Sequence, residues 1–361
     1  MRRFPMRGKH LIVPEDNHLF ALIYQETAAQ MVPSRLRLWW YFCAKALLLS
    51  GMLGWSYCTL LFTQSIPVLF ASYILFGLSS VLLAFNFGHE LAHQTVLNHN
   101  LFKNGCFLGI FALLGVDGIA WRDRHVRAHH FAPNVPGFDP DLKLSNLIRI
   151  LPDSPHHWFH RYQHWYAPFA YSIYSLFWIF VKDVHVFYSA ENRYARKKGA
   201  YCLFFWGQKA FYLIYLLVVP LHFSPLSWIL IIAAFLGMHL FQSIFILFTF
   251  LITHHVQGIC YPKVGPDGQI QQSWLMNQIE SSNDIHPFST VANFILGGFN
   301  NHVAHHLFPQ VNHIVYPEIN KIMYSILEKR NIYPHHTSYI GGIWAHLKLL
   351  KTMGRAPARP T

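Results

Sequence analysis

The chain has 361 residues, of which 53% are hydrophobic, 17% aromatic and only 12% charged, with a formal net charge of +12. About a quarter of the residues of a soluble domain are charged, so the pair of soluble domains that the length alone would allow is excluded. Long apolar runs place the chain among integral membrane proteins, and no polar basic domain is present to hold nucleic acid. The positive charge reads as the Lys and Arg excess of cytoplasmic loops, and it also offers a face to anionic partners. Cys43, Cys58, Cys106, Cys202 and Cys260 form no CxxC pair, so neither a disulfide framework nor a thiolate metal site is indicated.

Residues 1–38 form a basic arm, expected to be irregular and cytoplasmic, with Pro5, Pro14 and Pro33. Trp39–Thr63 is the first expected span, and Lys45 near its cytoplasmic end has room to snorkel. A short turn over 64–67 lacks Lys and Arg, and Val68–Phe87 returns across the membrane to deliver His89. Leu101–Ala120 is apolar but interrupted by Lys103, Gly105, Gly109, Gly115 and Asp117. It is expected to re-enter the membrane or lie in the interface. Residues 131–165 carry five prolines and read as a cytoplasmic loop. Trp165–Val181 is aromatic, short for a span and flanked by charge on both sides, hence interfacial.

Tyr201–Leu221 and Leu226–Ile252 make a second hairpin whose turn, 220–225, again lacks Lys and Arg. Lys209, about two turns into that hairpin, needs a snorkelling path or a partner. Four crossings put every histidine cluster on the cytoplasmic side. Pro317–Arg330 repeats apolar residues at helical spacing (Ile319, Ile322, Met323, Ile326, Leu327) and reads as an amphipathic helix. Residues 331–361 read as a tail, with Arg355–Thr361 disordered. The expected architecture is all-α: four transmembrane helices in two hairpins, interfacial helices and a cytoplasmic histidine-rich cap. The membrane domain runs over 39–330.

Twenty-five histidines occur in the chain, and eight fall in three tight clusters: His89 and His93; His125, His129 and His130; His302, His305 and His306. On a helix, residues four apart lie about 40° apart around the axis. His89 and His93 therefore project from one face, and the third cluster also occupies one arc. The spacing of the second turns His130 away from His125 and His129, so it serves a second metal or the backbone tightens there. Imidazole clusters suit iron, copper or zinc. His89-Glu90-x-x-His93 also matches the zinc-peptidase pattern with Glu90 as general base, which leaves six clustered histidines unexplained. A bis-histidine haem protein would draw its ligands singly from facing helices.

The three boxes, HxxxH, HxxxHH and HxxHH, with apolar hairpins between them, resemble those of the membrane fatty acid desaturases and their hydroxylase relatives. The segments 121–142, 160–166 and 181–183 are also similar to that family, and the run 297–309 (GGFNNHVAHHLFP) resembles its third box most closely. The resemblance covers roughly residues 40–330. It implies a di-iron centre ligated by His89, His93, His125, His129, His130, His302, His305 and His306. It also implies one further histidine, for which His255 is the choice from the pair His254 and His255. The implied reaction uses O2 and two electrons to remove two hydrogens from an acyl chain carried on CoA or on a lipid. An unactivated C–H bond offers no acid or carbonyl, so a metal oxidant must carry that step.

No His-Pro-Gly-Gly run of a fused cytochrome b5 domain occurs, which implies a separate electron donor of ferredoxin or cytochrome b5 type. The family places such enzymes in a cell inner membrane or the endoplasmic reticulum. Two departures stand out. The second box is one residue longer than the commonest form. His302 stands where the group that desaturates between an existing double bond and the carboxyl end typically has Gln. Hydroxylation of a lipid, alkane or carotenoid is the alternative outcome at the same site. Asp139, Asp141 and Asp284 are candidates to orient His N–H groups. His160, His164 and His313 are candidates for contacts around the site or with a head group, and His239 is expected to be hydrogen-bonded inside the bundle.

Overall fold

The computed structural model describes residues 9–95, 100–142, 146–189 and 199–355. In chain order its main helices are α1 (Pro14–Thr27), α2 (Arg35–Phe62), α3 (Ile66–His93), α4 (Asn100–Leu113), α5 (Gly118–His129) and α6 (Gln163–Ser172). They continue with α7 (Ala200–Phe223), α8 (Trp228–His254), α9 (Trp274–Glu280), α10 (Thr290–Leu296), α11 (His302–Leu307), α12 (Tyr316–Glu328) and α13 (Tyr339–Met353). Two parallel two-stranded ladders join β1 (His10–Leu11) to β2 (Ile270–Ser273) and β3 (Asn283–Ile285) to β4 (His335–Thr337). Four helices, α2, α3, α7 and α8, are long and apolar enough to cross a membrane. This agrees with the all-α, four-span expectation.

The chain divides into two compact units. One comprises residues 35–122 and 169–247; the other comprises 1–34, 123–168 and 248–361. The first unit holds α2, α3, α4, α7 and most of α8. Its interior is polar at selected points. Helices α4 and α5 meet at a bend of 114°. Gly115 adopts φ +67°, and a Cβ there would lie 2.7 Å from the Tyr212 ring. Gly118 lies so close to Phe111 that its Cβ would also fall 2.7 Å from that ring. Both positions therefore require glycine to turn so tightly.

Lys209 finds a partner rather than a snorkelling path. Its ammonium donates to Asp183 Oδ2 and to the Gly115 carbonyl, each at 2.6 Å. The same carboxylate oxygen accepts the Asp117 N–H at 2.7 Å. A buried ion pair that also closes backbone hydrogen bonds is costly to break from one side. Lys209→Met should lower stability by about 3–5 kcal/mol, read as a large drop of the thermal midpoint in detergent. Unchanged unfolding would show that the pair is dispensable.

Lys45 departs from expectation. It is 1% exposed and does not snorkel: it donates to Asn86 Oδ1 on α3 and lies 4.3 Å from the Tyr41 ring centroid. A hydrogen-bonded interior partner replaces the head-group water that snorkelling would reach. His239 is hydrogen-bonded inside the bundle as expected, with Ser175 Oγ at 2.7 Å and the Tyr212 hydroxyl at 3.0 Å. The segment expected at the interface begins in α6, which contains Pro168. Its helix breaks at Ile173 (φ −101°, ψ 4°) before shorter helical turns follow.

The second unit collects the described residues 9–34, 123–142, 146–168 and 248–355. The N-terminal arm, expected to be irregular, contains α1 over Pro14–Thr27. Pro14 starts the helix where its missing N–H costs nothing, Glu15 and Asp16 suit the first turn, and Leu19, Ile23 and Thr27 are buried. Phe20 packs edge-on against Trp274 of α9 at 5.1 Å. The tail likewise contains a helix, α13 over Tyr339–Met353, started by the Ser338 side chain accepting the Gly341 N–H. Of the run Arg355–Thr361 expected to be disordered, residues 356–361 lie outside the described residues. The amphipathic segment forms α12 with Ile319, Met323 and Leu327 buried.

Candidate metal centre

In the second unit seven buried histidines form two groups. His129, His254, His302 and His306 each aim a ring nitrogen at a common region, and these atoms all lie within 4.8 Å of one another. The same holds for His125, His130 and His305. The two groups adjoin, with His130 and His306 stacked at 4.5 Å between ring centroids. Within the first unit, His89 and His93 have rings 4.7 Å apart on the last turn of α3, just after a π-helical turn over Ala84–Gly88.

Local backbone decides which histidine joins which group. The second box lies on a π-helical turn over Arg124–His129, closed by the His130 N–H donating to the His125 carbonyl at 3.1 Å. In such a turn each bond spans five residues, so positions i and i+5 share a face. His125 and His130 therefore pair, with Nε2 atoms 3.2 Å apart, and His129 turns to the other group. The backbone loosens at the lengthened box instead of tightening, and the residue that turns away is His129 rather than His130. The third box lies on α11, where His302 and His306 join one group and His305 the other.

The histidine contributed by the end of α8 is His254 and not the expected His255. His254 continues the helix and projects its Nε2 to within 2.6 Å of His302 Nε2 and 3.3 Å of His306 Nε2. His255 lies one residue beyond the helix; its Nδ1 meets the Tyr261 hydroxyl at 3.0 Å, and its ring stacks on Tyr261. Adjacent residues on a helix point about 100° apart, so only one of the two can face the group.

The Nδ1 partners define the tautomers. His129 Nδ1–H donates to Asp139 Oδ2 at 3.0 Å, His254 Nδ1–H to the Ser281 carbonyl at 2.8 Å, and His306 Nδ1–H to Gln278 Oε1 at 3.0 Å. Each leaves an Nε2 lone pair toward the centre, which is how metal-binding histidines are held. Burial depresses the basicity of His302, to about 3, and of His306 well below its usual range, with neighbouring imidazoles adding to the effect. These rings are neutral at physiological pH, the form that binds metal. For His129, burial acts to lower the pKa, but the Asp139 carboxylate outweighs it and raises it. His255, buried and facing His346, is also held down, at about 3.

This donor set fits a metal. Lone pairs on Nε2 atoms this close repel, and a cation between them removes the repulsion. An all-imidazole set without thiolate suits iron, copper or zinc.

Of the candidate carboxylates, Asp139 meets an imidazole N–H, that of His129, whereas Asp284 accepts from a backbone N–H, an amide and a hydroxyl. Asp139 also accepts the N–H groups of Asn134 and Asp141, both at 2.9 Å. Asp141 thus acts through its backbone. Asp284 accepts the Val303 N–H at 2.8 Å and the Tyr324 hydroxyl at 2.9 Å, fixing the start of α11. Burial raises its carboxyl pKa to about 7 against these donors. His160 is structural: it accepts the His157 N–H and donates to the Asn146 carbonyl. The His164 ring lies tilted 5.5 Å from that of Trp165, and His313 is buried ahead of α12; neither belongs to the two groups. Two residues were not singled out from sequence. Asn134 donates to the His254 carbonyl at 2.9 Å, and Gln278 holds His306. Asn134 lies within the segment 121–142 that is similar to the family.

Four membrane-length helices suit an integral membrane protein, and the histidine groups are compatible with a metal centre. The sequence pattern of the fatty acid desaturase family matches residues 63–338, and the chain belongs to that family. It is 28% identical over 205 residues to an acyl-lipid (8-3)-desaturase of Physcomitrium patens, covering 55% of this chain and 42% of that protein. It is 28% identical over 252 residues to an acyl-lipid (8-3)-desaturase of Mortierella alpina, covering 67% and 55%. It is 28% identical over 293 residues to an sn-1 linoleoyl-lipid 6-desaturase of Arthrospira platensis, covering 78% and 76%. The chain spans about half the length of the first two of these relatives.

Proposed function

We propose that the protein is an oxidoreductase that introduces a double bond into the acyl chain of a membrane lipid. The observation that carries this reading is the pair of adjoining imidazole groups in a member of the desaturase family. The relatives named for acyl-lipid substrates favour a lipid-linked chain over a CoA thioester.

The centre would hold a pair of irons. His129, His254, His302 and His306 would hold one, and His125, His130 and His305 the other; His89 and His93 are proposed as further ligands on the resemblance of the first box alone. His254 takes the place expected of His255. When bound, the irons supply activation of O2 and oxidation of an unactivated C–H bond. The chain's own residues do the rest. Asp139, Ser281 and Gln278 lock the tautomers of His129, His254 and His306. Asp284 pins α11, so that the three histidines of the third box keep their directions. Burial excludes water from the centre. Electrons come from a separate protein of ferredoxin or cytochrome b5 type. The boxes face the cytoplasm, because the turns at 64–67 and 220–225 lack Lys and Arg. The host is a cell inner membrane or the endoplasmic reticulum.

Expression in a host that lacks the product, followed by lipid profiling, tests the reaction and the bond position together. A new unsaturation is expected. A new hydroxyl group would assign the chain to the hydroxylase relatives instead. Metal analysis of the purified protein is expected to return about two irons per chain. One zinc without iron would leave the zinc-peptidase reading of His89 and His93 standing.

A further inference from the structure

We propose that α13 is a membrane-docking helix that lies on the bilayer surface and binds anionic phospholipid head groups through Lys348, Lys351 and Arg355. The first ground is its position beside the end of a membrane-spanning helix. The Thr249 hydroxyl meets the Tyr339 hydroxyl at 3.0 Å, Phe248 packs against His346, and His346 Nδ1–H donates to the His255 carbonyl at 2.6 Å. Gly342 lies directly on Ile252: a Cβ there would fall 3.1 Å from the Ile252 side chain. These contacts run along the last two turns of α8. That helix has 27 residues, about 40 Å at 1.5 Å per residue, against about 30 Å of hydrocarbon. Its last turns therefore reach the head-group region, and α13 is held at that depth.

The second ground is what α13 leaves uncovered. Ile340 is 73% exposed and Trp344 62% exposed, one turn apart on one face. Such an apolar pair in water is unfavourable, whereas an aromatic ring at the lipid–water boundary is a common membrane anchor. The neighbouring chain continues the surface: His286 accepts the Tyr339 N–H, and Phe288 and Val291, at the start of α10, are also exposed. The third ground is charge. Lys348, Lys351 and Arg355 are exposed on and just after the same helix, Lys348 with its ammonium 5.9 Å from the Trp344 ring. No Asp or Glu occurs between Asn331 and Arg355. An apolar face bordered by basic residues is the pattern of an interfacial helix that prefers anionic lipid. Docking would also brace the chain next to His254, through the bond from His346 to the His255 carbonyl.

The test uses the full chain in nanodiscs of phosphatidylcholine with and without phosphatidylglycerol. A benzophenone amino acid replaces Trp344, and in a control it replaces Asp267 in an exposed loop. After illumination, mass spectrometry reads the adducts. Lipid adducts are expected at position 344 and not at 267. Phosphatidylglycerol should be captured in excess of its share, by about fivefold for each basic contact. Lys348→Glu with Lys351→Glu should abolish that excess while lipid capture persists. Capture of a second copy of the chain, or no lipid capture above the control, would overturn the docking surface. Capture of both lipids in proportion to their abundance would overturn its anionic preference.

Discussion

On the proposed reading, His254→Ala should abolish double-bond formation, by at least about a hundredfold, and lower iron content toward one per chain. This outcome follows from the four-histidine group, in which His254 Nε2 lies 2.6 Å from His302 Nε2 and 3.3 Å from His306 Nε2. Loss of a partner that merely orients a ligand costs roughly ten- to a hundredfold in affinity or activity, so loss of the ligand itself costs no less. His255→Ala serves as the contrast. That ring meets Tyr261 and leaves the group intact, so the variant should retain both irons and most of its activity. Paired measurement of iron and product distinguishes the two positions. If His255→Ala loses iron and His254→Ala keeps it, the assignment is reversed.

On the same reading, Asp139→Ala should weaken metal binding by about ten- to a hundredfold without touching a proposed ligand. The carboxylate fixes the His129 Nδ1–H and gathers the Asn134 and Asp141 amides at the second box. Without it, His129 is free to adopt the tautomer that places its proton on Nε2, where the metal belongs. Asp139→Asn should be milder, since its amide oxygen still accepts one N–H while the charge is lost. Chelator competition monitored by the iron absorbance measures the effect. Equal affinity in wild type and Asp139→Ala would mean that packing alone sets the direction of the His129 ring.

The four spans were legible because each is a run of apolar residues with few charges, and a membrane demands just that of a helix. The three boxes were legible because clustered imidazole is rare and its spacing is local. Side-chain partners were harder to read. Lys45 and Lys209 look alike in sequence, as cations inside apolar helices, yet each meets an interior acceptor more than twenty positions away in the chain. Burial of α1 and α13 depends on the surfaces supplied by α9, α12 and the end of α8, and so their helicity was hidden in segments that read as arm and tail.

The sequence by itself determined the class of chemistry: which residue types collect, on which kind of scaffold, and in three places. Only the tertiary structure decided how they divide. A hydrogen bond from His130 to the His125 carbonyl loosens one turn and sends His129 to a different group from its box partners. Helix α8 ends one residue short of His255, so that His254 alone faces His302 and His306. Both outcomes depend on the direction of a single turn of backbone. That direction is fixed by the carbonyls, carboxylates and packed rings that distant parts of the chain bring to it.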